Sequence, residues 1–99
     1  MSWTEQQIQS VWNTGQVVDR SNPEKWRKDA CGAWISRDQY GDGHSRFGWE
    51  IDRILPAEGG GTDDLSNLRP LHWKNALSRK DGRLTCLVTA CGGVNSQFD

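Results

Sequence analysis

The sequence predicts a small α+β domain, and three observations carry that prediction. Ile8, Val11 and Trp12 repeat at helical spacing near the N-terminus. Two strand-like runs, Ala33 to Ser36 and Phe47 to Ile54, flank a loop rich in Gly, Asp and Ser. Pro70 then opens a segment whose apolar positions suit a helix. With 99 residues the chain makes a single domain around one core.

Each element has its own local justification. Ser2 and Thr4 precede the apolar repeat and Gly15 follows it, so residues 4–14 read as an amphipathic helix. Val17 to Asp29 contains Asn22-Pro23 and alternates poorly; it reads as an irregular segment wrapping the core, with a turn of helix at Pro23 to Trp26. The two runs beginning at Ala33 and Phe47 read as an antiparallel hairpin closed by the loop of residues 38–46. On the second strand, Trp49, Ile51 and Arg53 share one face and Glu50, Asp52 and Ile54 the other.

Leu55-Pro56 ends that strand, and Glu58 to Asp64 holds three glycines in a flexible connection. Pro70 suits the first turn of a helix running to Gly82, with Leu71, Ala76 and Leu77 inward and Lys74, Ser78 and Arg79 outward. Leu84 to Thr89 reads as a short strand, and residues 92–99 as a loose tail. Trp34 and Trp49 are expected to form a cross-strand core pair. Trp12, Trp26 and Trp73 should add core volume, and Trp3 should be exposed.

Composition narrows the possible roles. The formal net charge is −1, so nucleic-acid binding has to come from a local patch rather than the whole-molecule field. No apolar run approaches the ~20 residues needed to cross a bilayer, and Met1 to Glu5 lacks a basic region followed by an apolar one. No membrane is expected as a partner, and a cytoplasmic location follows. Cys31, Cys86 and Cys91 are an odd set without a Cys-x-x-Cys pair, which argues against zinc and for reduced thiols; a Cys86–Cys91 disulfide is the alternative.

The strongest signal is a spaced set of residues. Asp52, Ile54, Pro56, Gly60, Gly61, Asp63, Asn67, Leu68 and Leu71 stand in the places that the HNH endonuclease family fills with Asp-His-Ile, Pro, Gly-Gly, an acid, Asn-Leu and Leu. The chain resembles that family over residues 33–82. The resemblance implies a ββα-metal unit, here with an additional N-terminal helix.

Function by resemblance turns on two mismatches. In HNH enzymes the aspartate of the pair binds one divalent ion, and the following histidine takes a proton from the attacking water. Asp52 matches the aspartate, whereas Arg53 stands where the histidine belongs. A guanidinium has a pKa above ~12 and no acceptor lone pair, so it cannot remove that proton. Asn67 matches the asparagine that braces the loop. The final metal ligand falls at Ala76, which has no ligating atom, and Asn75 lies one residue early, a rotation of ~100° on a helix.

A cation beside Asp52 can partly replace the charge of a missing ion, so Arg53 is expected to pair with Asp52 or Glu50; the alternative is a solvated arginine at a strand end. His44 is either a substitute base or an exposed loop residue, and His72, just after Leu71, reads as structural. Basic residues gather at Lys25, Arg27 and Lys28, and at Lys74, Arg79, Lys80 and Arg83. The family's helix lies against the DNA groove, so the second cluster implies a backbone-binding surface. The alternative is a solvated face balanced by Asp63, Asp64 and Asp81.

The sequence therefore points to a catalytically degenerate HNH-fold protein that binds a protein partner or nucleic acid, as an antagonist of a host defence or nuclease complex encoded by a phage or mobile element. The alternative is an HNH endonuclease that cleaves DNA with an altered or deliberately inactivated site. No cofactor is expected, and magnesium enters only under the nuclease alternative. The oligomeric state stays open.

Overall fold

Thr4 begins the first ordered element. Its hydroxyl accepts from the Gln7 amide at 3.1 Å while the Gln7 side chain accepts from the Thr4 amide at 2.9 Å, a reciprocal cap that starts helix α1 (Glu5–Trp12). The computed structural model describes residues 3–79 and 83–97. Among these it is an α+β domain of two helices and three two-stranded antiparallel sheets. Strand β1 (Trp26–Lys28) pairs with β2 (Trp34–Ser36), β3 (Trp49–Arg53) with β4 (Leu68–His72), and β5 (Val88–Cys91) with β6 (Val94–Gln97); α2 (Trp73–Leu77) directly follows β4. Among the described residues no helix is long and apolar enough to cross a membrane.

The buried face of α1 is Ile8, Val11 and Trp12, which pack with Ile35, Trp49 and Leu68 into the central cluster. Trp12 and Trp49 lie 5.3 Å apart, and Tyr40 meets Trp49 edge-on at 5.0 Å. Burying two indoles and four aliphatic or small apolar side chains in one place gives a 99-residue chain its core.

Several expectations are corrected. The runs beginning at Ala33 and Phe47 do not form a hairpin with each other. Residues 37–39 turn as a 3₁₀ segment and Tyr40 bridges Trp49 in parallel sense, so β2 is left to pair with β1. Trp34 accordingly meets Trp26, at 6.4 Å and nearly perpendicular, instead of Trp49. Pro70 lies inside β4, opposite Ile51, not in a helix. Its missing N–H is tolerated there because β4 has a ladder partner on one side only. The second helix thus starts at Trp73 and spans five residues, with Leu71 buried in β4 and Leu77 71 % exposed. Trp3 is half-buried against the core cluster rather than exposed.

Of the expected loose tail, Val94–Gln97 form a strand instead, while residues 98–99 lie outside the described residues. β6 closes a hairpin on β5, and the Asn95 side chain accepts from the Trp34 amide at 2.6 Å and donates to the Trp34 and Arg46 carbonyls at 2.8 Å each. Cys31 and Cys86 form a disulfide with Cα atoms 5.5 Å apart, so neither the reduced set nor a Cys86–Cys91 bond is found; Cys91 is exposed and free. Buried polar contacts bring the pair together. Asp29 fixes the Cys31 amide at 2.9 Å, and Asn75 accepts from the Leu87 and Val88 amides at 2.8 Å each.

Candidate functional site

The Asp52 neighbourhood is built by β3, β4 and the residues just past α2. The antiparallel register sets Asp52 opposite Arg69. Asp52 is 9 % exposed, and both its carboxylate oxygens are taken: Arg69 Nε donates to Oδ2 at 2.8 Å and Arg79 Nη1 to Oδ1 at 2.6 Å. Arg79 Nη1 also donates to the Arg53 carbonyl, and its Nη2 to the Ile54 carbonyl at 2.6 Å. Charge-assisted bonds of this kind are about twice as strong as neutral ones, and the planar fork fixes their directions. Two guanidinium groups therefore meet one buried carboxylate.

Arg53 points elsewhere. Its Nε donates to Asp63 Oδ1 at 2.6 Å, and the guanidinium stands 5.1 Å from the Trp3 ring centroid. The expected partner, Asp52 or Glu50, is thus corrected to Asp63. The Asp63 hydrogen bond pushes the Arg53 pKa further up, so this side chain cannot serve as a base.

Asn67 holds the loop between β3 and β4. Its Oδ1 accepts from the Leu55 amide at 2.8 Å, and its Nδ2 donates to the Leu55 and Thr62 carbonyls at 3.0 and 2.7 Å. The glycines earn their place beside it: Gly60 has φ +91°, and a Cβ on Gly61 would collide with the Leu55 carbonyl.

The helix residues divide between structure and surface. Asn75 is fully buried and does not face Asp52. Its Nδ2 donates to Asp29 Oδ2 and the Val88 carbonyl at 3.0 Å each, and its Oδ1 holds the Leu87 and Val88 amides, so no lone pair is left for a metal. Ala76 is half-buried and carries no donor atom. Arg79, expected outward, is instead turned onto Asp52 with its side chain only 11 % exposed. Lys74 stands 5.4 Å from the Trp73 ring centroid, Arg83 is exposed, and Lys80 lies outside the described residues.

In the first basic cluster, Arg27 is spent on the Pro23, Asn13 and Gly15 carbonyls at 2.9–3.0 Å. Lys28 lies 4.9 Å from the Trp34 ring centroid.

The two histidines are engaged with other parts of the chain. His44 is exposed in its loop and lines a separate groove of about 240 Å³ with Arg46, Phe47, Trp73 and Lys74. His72 caps α2: its Nδ1 accepts from the Lys74 amide at 3.1 Å, and its Nε2 faces the Arg46 carbonyl at 2.8 Å. A carbonyl only accepts, so the proton sits on Nε2 and the ring is neutral. Burial pushes its pKa below the ordinary value.

These donors do not suit a divalent ion. Both Asp52 oxygens already hold cations, Asn75 is saturated and Ala76 offers nothing. Among the described residues no group of three His, Cys, Asp or Glu side chains converges on a common point.

Arg69 and Asp29 stand outside the residues that the sequence pattern singles out. Reading residues 68–72 as a strand would have set Arg69 beside Asp52. Asp29 accepts from the Cys31, Ala33 and His72 amides at 2.9, 2.8 and 2.9 Å as well as from Asn75. Its only sequence signal is an aspartate two residues before a turn glycine-containing stretch. No protein-family model, curated protein or solved structure matches this chain.

Proposed function

We propose that the chain is a pseudo-nuclease of HNH-like build that acts by binding a protein partner, as an antagonist of a host defence or nuclease complex. The observation that carries this reading is the pair of guanidiniums on Asp52, which occupy the oxygens that a catalytic metal would need. The order β3, braced loop, β4, α2 supports an HNH-like unit, as do the three hydrogen bonds in which the Asn67 side chain takes part, one as acceptor and two as donor. Arg53, paired to Asp63, cannot serve as a general base beside Asp52.

Binding to protein is favoured over binding to DNA by what the braced loop displays. Ile54, Leu55 and Leu65 are each close to half exposed on a segment that Asn67 holds in place, which suits an apolar contact with a partner. Arg79, the centre of the expected phosphate-binding cluster, is committed to Asp52 and two carbonyls.

The test is plasmid nicking across magnesium, manganese and nickel, comparing the unaltered chain with Asp52→Ala and with Arg53→His/Ala76→Asn. No cleavage by the unaltered chain is expected. Metal-dependent cleavage abolished by Asp52→Ala would overturn the reading. A gel shift at two salt concentrations separates the partner classes, because phosphate contacts weaken steeply with salt. A strong, salt-sensitive DNA shift would replace the protein partner with DNA.

A further inference from the structure

We infer that the groove between the 44–47 loop, the start of α2 and the β5–β6 hairpin binds a small organic phosphomonoester, with its phosphoryl group on Arg46 and His44 and a ring-sized apolar body against Phe47 and Val94. The groove holds about 240 Å³, and its lining includes Lys74 and Trp73 beside these four; no described lining residue is acidic. In a chain of net charge −1 this is a local excess of positive charge. The groove lies at the Trp49–His72 end of the β3–β4 ladder, three residue pairs along from Asp52–Arg69. It is therefore not the place where the family resemblance puts a metal, and the inference does not rest on the pseudo-nuclease reading.

The walls are built before any ligand arrives. The Trp73 indole donates to the Ser45 carbonyl at 2.7 Å, and His72 Nε2 and the Asn95 side chain both donate to the Arg46 carbonyl at 2.8 Å. The Phe47 carbonyl accepts from the Ser36 amide at 3.0 Å, and the Phe47 ring meets Trp26 edge-on at 5.0 Å. Three successive residues thus have a fixed main chain, which lowers the ordering cost of binding. Their one arginine has no duty in the fold. Arg27, Arg37, Arg53, Arg69 and Arg79 each donate to a carboxylate or a carbonyl, whereas the Arg46 side chain is exposed and bonds to no described residue.

A guanidinium fork pairs with two oxygens of one oxyanion. The His44 ring N–H and the Ser45 and Ser96 hydroxyls are further donors on the same lining. A phosphoryl group offers three acceptor oxygens, one more than a carboxylate, and so meets donors that arrive from the loop and from β6 together. The apolar walls set the rest of the ligand. Val94 is 55 % exposed, and about 240 Å³ is below the ~300 Å³ at which drug-sized sites begin, which limits the organic part to a single ring.

The experiment is an amide NMR titration of the isotopically labelled full chain with phenyl phosphate, inorganic phosphate and sodium benzoate at equal ionic strength. Phenyl phosphate is expected to give saturable shifts centred on the 44–47 amides, the Trp73 indole N–H and Val94, and to bind about tenfold more tightly than either comparator. Arg46→Ala and Val94→Glu, both at exposed side chains, should each weaken it about tenfold while the rest of the spectrum is unchanged. A peptide carrying one phosphotyrosine, set against its unphosphorylated form, separates two sources of the same group. Binding tighter than that of phenyl phosphate assigns the group to a protein side chain, and equal or weaker binding assigns it to a free metabolite. Shifts that do not saturate, shifts centred away from the groove, or either comparator binding as tightly as phenyl phosphate overturn the inference, and so does affinity unchanged in Arg46→Ala. DNA nicking by the unaltered chain would sink the pseudo-nuclease reading and leave these titrations as they are.

Discussion

Asp29 and Asp52 are both buried, at 3 % and 9 % exposure, but they are satisfied in different ways. Asp29 receives three backbone amides and one side-chain amide, all neutral donors, drawn from the 31–33 turn, the end of β4 and α2. Asp52 receives two guanidiniums, from β4 and from the residue two past α2. The first arrangement joins separate stretches of chain and leaves the carboxylate no capacity for a ligand. The second neutralises a carboxylate at the position where the family resemblance implies a metal. The residue that matches a motif has a local electrostatic role, and the residue outside any motif holds the fold together.

Breaking the Asp29 side should cost most. Asp29→Ala leaves four donors without their acceptor, and at about 1 kcal/mol each the loss is on the order of 4 kcal/mol. A urea midpoint close to that of the unaltered chain would show that the hub is dispensable. Reduction of Cys31–Cys86 acts on the same region. A crosslink between cysteines 55 residues apart constrains the unfolded chain by about 4 kcal/mol in the chain-entropy treatment, so denaturation with and without a phosphine reductant should differ by a comparable amount.

The Asp52 side should cost less. Asp52→Ala strands two partly buried guanidiniums and should lower stability by about 3 kcal/mol, again read from the urea midpoint. Equal losses for Asp29→Ala and Asp52→Ala would erase the distinction drawn between them.

Acid should separate the two regions further. The His72 pKa is lowered by burial, so the folded chain holds a neutral ring that the unfolded chain protonates more readily. Its contribution to stability is complete above the unfolded value of about 6.5 and is lost as pH falls from there through the lower folded value. A His72→Gln variant should flatten the stability profile over that window; an unchanged slope would show that His72 titration does not contribute. The smallest effect belongs to Arg53→Ala. Its pair with Asp63 is more than a third exposed on both sides, which is worth less than about 1 kcal/mol.

The legible parts of this fold were those written in short-range pattern. The α1 face came from the spacing of Ile8, Val11 and Trp12, and the glycine turn from Gly60 and Gly61 next to Asn67. Strand pairing was not legible, because Leu68-Arg69-Pro70-Leu71-His72 carries a proline that reads equally as a helix start. Only the tertiary choice of partner for β3 makes it an edge strand. That one ambiguity hid Arg69 beside Asp52 and turned Arg79 outward in the sequence-based expectation. The Asp29–Asn75 hub was invisible for a different reason: its members lie 46 residues apart and share no motif.

The most direct test of the central claim, that arginines rather than a metal neutralise Asp52, is manganese titration of the isotopically labelled full chain followed by amide NMR. No selective paramagnetic broadening is expected at Asp52, Arg53, Ile54 and Arg69 at submillimolar manganese. Broadening centred on those four amides, and lost in Asp52→Asn, would contradict it.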